Sequence, residues 1–232
     1  MKVLLIKDQL ISYSSYLSEL DVLDHSYLWH AQDHFLSHWD IEGLDFEGMF
    51  DKSFQSTLSQ RLWKREHYFP KEMMLTLIQL EKETMRSIFR DLLNENKDLN
   101  LRVNRFVHHI DQMLQAVQRK DRKASTHFHS DLRFVFVYLS FCYPETYTLY
   151  EECNFLKYLK KVEARKIPRN HDPILFRNMM KATRTIMMKD EKFLKEKNRL
   201  SEEHKLTESS DNLWVCDFYT FVATGEGKHK DF

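Results

Sequence analysis

A chain of 232 residues with 42% hydrophobic and 30% charged side chains is long enough to bury a core and is globular rather than disordered. Its formal net charge is zero, which argues against a uniformly cationic protein that coats nucleic acid. Only 4 Gly and 4 Pro are present, so few turns and few left-handed positions are available, and long helices are favoured over a strand-rich fold.

In chain order, a first helix is predicted over Val3–Leu20 on a loose 3.6-residue pattern. A second runs from Asp24, a candidate N-cap, to Trp39, with Leu28, Phe35, Leu36 and Trp39 on one face. Residues 41–48 read as a connector, and Phe50–Leu62 as a further helix. Pro70 opens a helix whose apolar face carries Met73, Met74, Leu77 and Ile78, since proline is tolerated in a first turn. Two amphipathic helices follow over Glu83–Asn94 and Leu99–Val117. Residues 118–126 are polar and make the best linker in the chain. Leu132–Tyr143 is apolar almost all round, has few β-branched residues and is ended by Pro144, and so reads as a buried central helix. Helices are then predicted over Tyr147–Val162, Ile174–Met188 and Glu191–Leu206. The apolar run Leu213–Val222 reads as a short C-terminal strand or a docking segment, and 225–232 as a loose tail. There is no fixed-period repeat.

Charge is segregated. Residues 157–205 hold 15 Lys/Arg against 7 Asp/Glu, a local excess of eight positive charges. Such an excess points to a polyanion-facing half, or simply to a solvated face on charged helices. The three cysteines, Cys142, Cys153 and Cys216, are odd in number and far apart, which suits a reducing compartment. The apolar run at Met1–Lys7 is too short for a signal peptide, and no stretch approaches a membrane span, so a cytoplasmic protein is expected.

The candidate chemistry is sparse. His30, His34 and His38 share one helix side, but three ligands in line span about 12 Å, too far for one ion. His127, His129 and Asp131 alternate in a pattern that can hold a metal or supply a base, and the same Ser/Thr/His/Asp stretch is ordinary helix-start chemistry. His108, His109 and Asp111 point in different directions. Gly225-Glu-Gly-Lys228 lacks the upstream glycine and the Ser/Thr of a phosphate-binding loop. Asp217 with Glu226 and Lys228 is spaced like the carboxylates of one nuclease class, a spacing that arises by chance. No nucleophile elbow, Cys/His dyad or dinucleotide fingerprint occurs. The chain is therefore expected to bind rather than catalyse, with no cofactor. The cluster Arg61-Leu-Trp63-Lys64-Arg65-Glu-His-Tyr68 interleaves cations with rings, a composition that neutralises phosphates and stacks on bases. Packing alone also accounts for its rings.

Four strings carry a family resemblance: Trp39-Asp-Ile-Glu-Gly-Leu-Asp-Phe-Glu-Gly-Met-Phe-Asp51, Arg61–Leu75, Phe89-Arg-Asp-Leu-Leu-Asn-Glu95 and Asp131–Tyr150. Together they resemble the N-terminal helical region of McrB-type AAA+ GTPase subunits of methylation-dependent (type IV) restriction systems, over about residues 30 to 222. The GTPase module has no counterpart here, since Walker and sensor segments are missing. What the resemblance implies is an accessory part that reads a target, often modified DNA, while an AAA+ GTPase subunit and a nuclease encoded elsewhere do the chemistry. No binding residue carries over by position.

The expectation is an all-α multi-helix array in two packed halves, 1–120 and 121–232, which can equally be one continuous domain. Its leading function is a non-enzymatic specificity module that contacts DNA through the Arg61–Tyr68 cluster and the basic C-terminal half: Lys160, Lys161, Arg165, Lys166, Arg169, Arg177, Lys181 and Arg184. The alternatives are a protein–protein adaptor without nucleic-acid contact and, third, a metal-dependent hydrolase using His127, His129 and Asp131.

Overall fold

A computed structural model describes residues 2–62, 70–120, 132–206 and 211–225. Among them the chain is all-α: α1 (Val3–Ser18), α2 (Tyr27–His38), α3 (Phe46–Ser53), a 3-10 turn (Ser59–Leu62), α4 (Pro70–Leu80), α5 (Lys82–Leu92), α6 (Leu99–Lys120), α7 (Arg133–Cys142), α8 (Glu152–Lys161), α9 (Pro173–Met187), α10 (Glu191–Glu203) and α11 (Asp211–Thr224). Several starts are fixed by local chemistry. Asp45, Glu151, Asp172 and Asp190 each accept from backbone amides in the first turn of α3, α8, α9 and α10, and so satisfy donors that the helix itself cannot. Pro173 follows Asp172 at the first position of α9, where its missing N–H costs nothing.

α7 is the hub, as its all-round apolarity predicted. Every residue from Arg133 to Phe141 is buried. Successive rings on a helix face different ways. Phe134 and Tyr138, four apart, meet Phe54, and Tyr138 also meets Phe50, Phe89 and Phe106. Phe136, on the opposite side, meets Tyr147, Tyr150 and Phe176. Buried apolar residues from α1 to α11 form one continuous cluster around it. α1 packs against α9, α10 and α11, which ties the start of the chain to its C-terminal helices.

Two expectations change. Leu213–Val222 is not a strand: α11 is a helix whose residues Asn212–Ala223 are all buried. It packs most extensively on α8, and also on α9 and α1. A helix enclosed on all sides needs no polar face, so its sequence carries no 3.6-residue signature. Residues 147–150 do not open a helix. They run non-helically with all four side chains buried, and α8 begins only at Glu152. Shorter offsets occur elsewhere: α3 starts at Phe46 inside the predicted connector, and α2 starts at Tyr27, after Ser26 rather than Asp24. α6 extends through Lys120 into the predicted linker, whose remainder, 121–126, lies outside the described residues.

Candidate nucleic-acid interface

The predicted basic residues differ in what holds them. Lys160 and Lys161 close the last turn of α8, where cations complement the helix dipole, and both are exposed. The connector to α9 carries exposed Arg165, Lys166 and Arg169. It is pinned: the Asp172 carboxylate accepts from the Leu175 amide at 2.9 Å and pairs with Lys166 Nζ at 2.7 Å. Burial opposes that carboxylate's charge, but these two bonds win and hold its pKa below the ordinary value. Lys166 is thereby occupied. Among the described residues, Lys160, Lys161, Arg165, Arg169 and Lys181 form no ion pair with a carboxylate.

Arg177, Lys181 and Arg184 lie at i, i+4 and i+7 on α9, a spacing that places them on one face. They line a cavity of about 330 Å³ with Asn178, Glu145, Thr146 and Asn212. Arg184 is the anchored member. Its guanidinium donates to the Glu145 carboxylate at 2.7 Å, to the Glu145 carbonyl at 3.0 Å and to Asp211 at 3.1 Å. Burial works against its charge, and the bonds to Asp211 and Glu145 more than offset that, raising its pKa above the ordinary arginine value. Asp211 is shared with Lys197. Asn212 is held in place by donating to the Pro144 carbonyl at 2.6 Å. Nearby, the Tyr147 hydroxyl donates to Glu95 at 2.9 Å and accepts from the buried Arg102.

Arg61 sits in the 3-10 turn with its guanidinium 3.8 Å from the centroid of the Tyr27 ring, a cation–π contact that uses its flat face internally. Trp63, Lys64, Arg65 and Tyr68 lie outside the described residues, as do His127, His129, Asp131, Glu226 and Lys228. Among the described residues no group of three or more His, Cys, Asp or Glu is placed to hold a metal ion. The His34 and His38 rings lie 4.5 Å apart, tilted by 39°, and His34 Nε2 faces the Lys52 carbonyl at 2.9 Å. No described helix is long and apolar enough to cross a membrane.

Sequence reading missed two features. One is the contribution of Glu145, Thr146, Asn178 and Asn212 to the cavity, for which nothing in their spacing is a signal. The other is a buried polar cluster. Asp217, fully enclosed in α11, accepts from Tyr13 Oη and lies 2.6 Å from His25 Nε2. The signal for it was present, a single carboxylate inside the apolar run 213–222. A groove of about 600 Å³ also opens between α4, α5 and α6, with an apolar floor of Leu77, Leu80, Ile88, Met113 and Val117 and several polar residues, Glu81, His109 and Lys120 among them, along its lining. The chain matches no protein-family model, no curated protein and no solved structure.

Proposed function

We propose that the chain is a non-enzymatic recognition module of a restriction-type defence system, and that it binds DNA, including modified DNA, through the basic surface of α8, its connector and α9. The observation that carries this reading is the convergence of Arg177, Lys181 and Arg184 on a concave site. Flanking it in sequence are Lys160, Lys161, Arg165 and Arg169, all exposed and without carboxylate partners among the described residues. Cations left without carboxylates are what phosphate binding requires. The likeness of the Trp39–Asp51, Arg61–Leu75, Phe89–Glu95 and Asp131–Tyr150 strings to McrB-type subunits adds the expected partners, an AAA+ GTPase subunit and a nuclease.

The test is DNA affinity against salt. Six cations of this surface remain un-neutralised by carboxylates: Lys160, Lys161, Arg165, Arg169, Arg177 and Lys181. At about 0.9 per phosphate contact, log K should fall against log salt with a slope no steeper than about −5. Alanine at Lys160 or Arg165 should flatten the slope by about one, independently of sequence. Absence of binding to plain and modified duplex at low salt would sink this reading. A second reading, an adaptor that docks on a protein partner and never touches nucleic acid, is favoured by the α4–α5–α6 groove, whose apolar floor suits a helix presenting i, i+3/i+4 and i+7 anchors.

A further inference from the structure

We infer that the cavity on α9 is a phosphomonoester site: it takes a terminal phosphate, carried by a DNA 5′ end or by a free nucleotide, rather than a phosphodiester in mid-strand. The inference deepens the proposed DNA reading at the same surface, and depends on that reading only for the source of the phosphate.

Three features single out a monoester. The first is charge. Arg177, Lys181 and Arg184, with Lys197 behind them, face two carboxylates, Glu145 in the cavity and Asp211 shared by Arg184 and Lys197, which leaves an excess of two positive charges. A phosphomonoester carries about −1.5 to −2 at neutral pH, whereas a diester carries one negative charge. The second is shape. A concave site of about 330 Å³ is large enough to seat a terminal phosphate, attached through one bond, among all three cations. The third is donor chemistry. Arg184, whose Nη1 stays on the Glu145 carbonyl, offers the Nη2 donor now on the Glu145 carboxylate, and the lining adds Arg177, Lys181, the Thr146 hydroxyl and the Asn178 amide for the other phosphate oxygens. Arg184 stays aimed when ligand arrives, because Asp211 holds it from the protein side at 3.1 Å.

Glu145 acts as an internal stand-in for that phosphate. Its carboxylate, largely exposed, accepts from Arg184 at 2.7 Å on the cavity side. An incoming phosphate displaces it into solvent and takes over the Nη2 donor it leaves, while Asp211 and the Glu145 carbonyl keep their own bonds. Removing the Glu145 charge should therefore strengthen binding of a phosphorylated end more than binding of the same duplex without it, which the loss of a surface charge alone would not do.

The experiment uses the full chain and fluorescence anisotropy at low salt. Two duplexes of one sequence, labelled at the 3′ end, carry either a 5′-phosphate or a 5′-hydroxyl. The phosphorylated duplex should bind on the order of tenfold tighter, as expected for charge-assisted bonds to one phosphate. Lys181→Ala, at an exposed position, should erase the difference, Lys160→Ala should keep it, and Glu145→Gln should widen it. Equal affinity for the two duplexes overturns the monoester site and leaves the DNA reading standing. If neither duplex binds, the DNA reading fails and titration with 5′-AMP decides the site. A change in the NMR signal of the Asn178 side-chain amide, lost in Lys181→Ala, supports a free-nucleotide source. No response to 5′-AMP overturns the inference.

Discussion

Replacing Asp217 tests what holds α1, the α1–α2 connector and α11 together. Asp217 is fully buried and is met by Tyr13 from α1 and His25 from the connector. Burial pushes the His25 pKa down, but the Asp217 carboxylate pushes it up and wins. Asp24 adds to the rise and Arg61 opposes it. Because the folded value exceeds the unfolded one, the pair's contribution is fully present below about pH 6.5. It is lost as pH rises through the folded-state value. Tyr13 and Tyr16 do not enter this window, because burial and then Asp217 raise Tyr13 well above its usual value and Tyr16 to about 12. Asp217→Ala removes the buried acceptor that Tyr13 and His25 share. The expected cost is about 3–5 kcal/mol, as for breaking a buried pair, or roughly 6 to 20 °C in Tm for a chain of this size. Asp217→Asn keeps the volume and an acceptor oxygen but not the charge. Its cost is smaller, and the gap to wild type should narrow as pH rises from 6 to 9. Urea denaturation across that range is the assay. An Asp217→Ala cost under about 1 kcal/mol, or a wild-type-to-Asn gap that stays constant with pH, would refute the charged-pair argument.

Phe89 packs its ring against Trp39, Phe46, Phe50, Phe106 and Tyr138, so Phe89→Ala should cost about 3–5 kcal/mol in chemical denaturation. A Cβ at Gly48 would fall 2.1 Å from Asp45 Oδ2 and displace the carboxylate that caps α3. Gly48→Ala should therefore show a near-zero net effect, with a lost cap of about 1 kcal/mol against a similar gain in helix propensity, and Asp45→Ala should cost nothing further in that background. Burial raises the thiol pKa of Cys142 and of Cys216, whereas Cys153 is exposed. A thiol reagent should titrate Cys153 first and reach Cys216 only on unfolding.

The helices were legible wherever one face is wet. α5 buries Met85, Ile88, Phe89 and Leu92 in strict i, i+3, i+4, i+7 order, and α9 announces itself by Asp172-Pro173. α7 was legible for a different reason: ten apolar residues bounded by proline and low in β-branching leave a buried helix as the simplest packing. α11 defeated the same reasoning because Val215, Thr220 and Val222 weight the run toward strand, and only the packing of Trp214 on Trp29 and of Phe218 on Tyr13 decides it. Residues 147–150 failed for a related reason. Tyr147 and Tyr150 are buried by tertiary contacts to Phe136 and Phe176, and Thr148 donates to the Asn212 carbonyl, with no helical period.

The candidate site was legible in composition but not in availability. In sequence, Arg61, Lys166, Arg184 and Lys181 are equivalent cations. The fold separates them. Arg61 spends its face on Tyr27, Lys166 closes on Asp172, and Arg184 is fixed between Glu145 and Asp211, while Lys181 stays exposed beside them without a carboxylate among the described residues. A local excess of eight charges therefore overstates the phosphates this surface can neutralise, and the pairing pattern, not the count, limits the expected salt slope to about −5. The same pairing gives Arg184 its value to the site. A guanidinium held from behind by Asp211 loses little freedom on meeting an anion, so the most neutralised arginine in the cluster is also the best prepared to bind one.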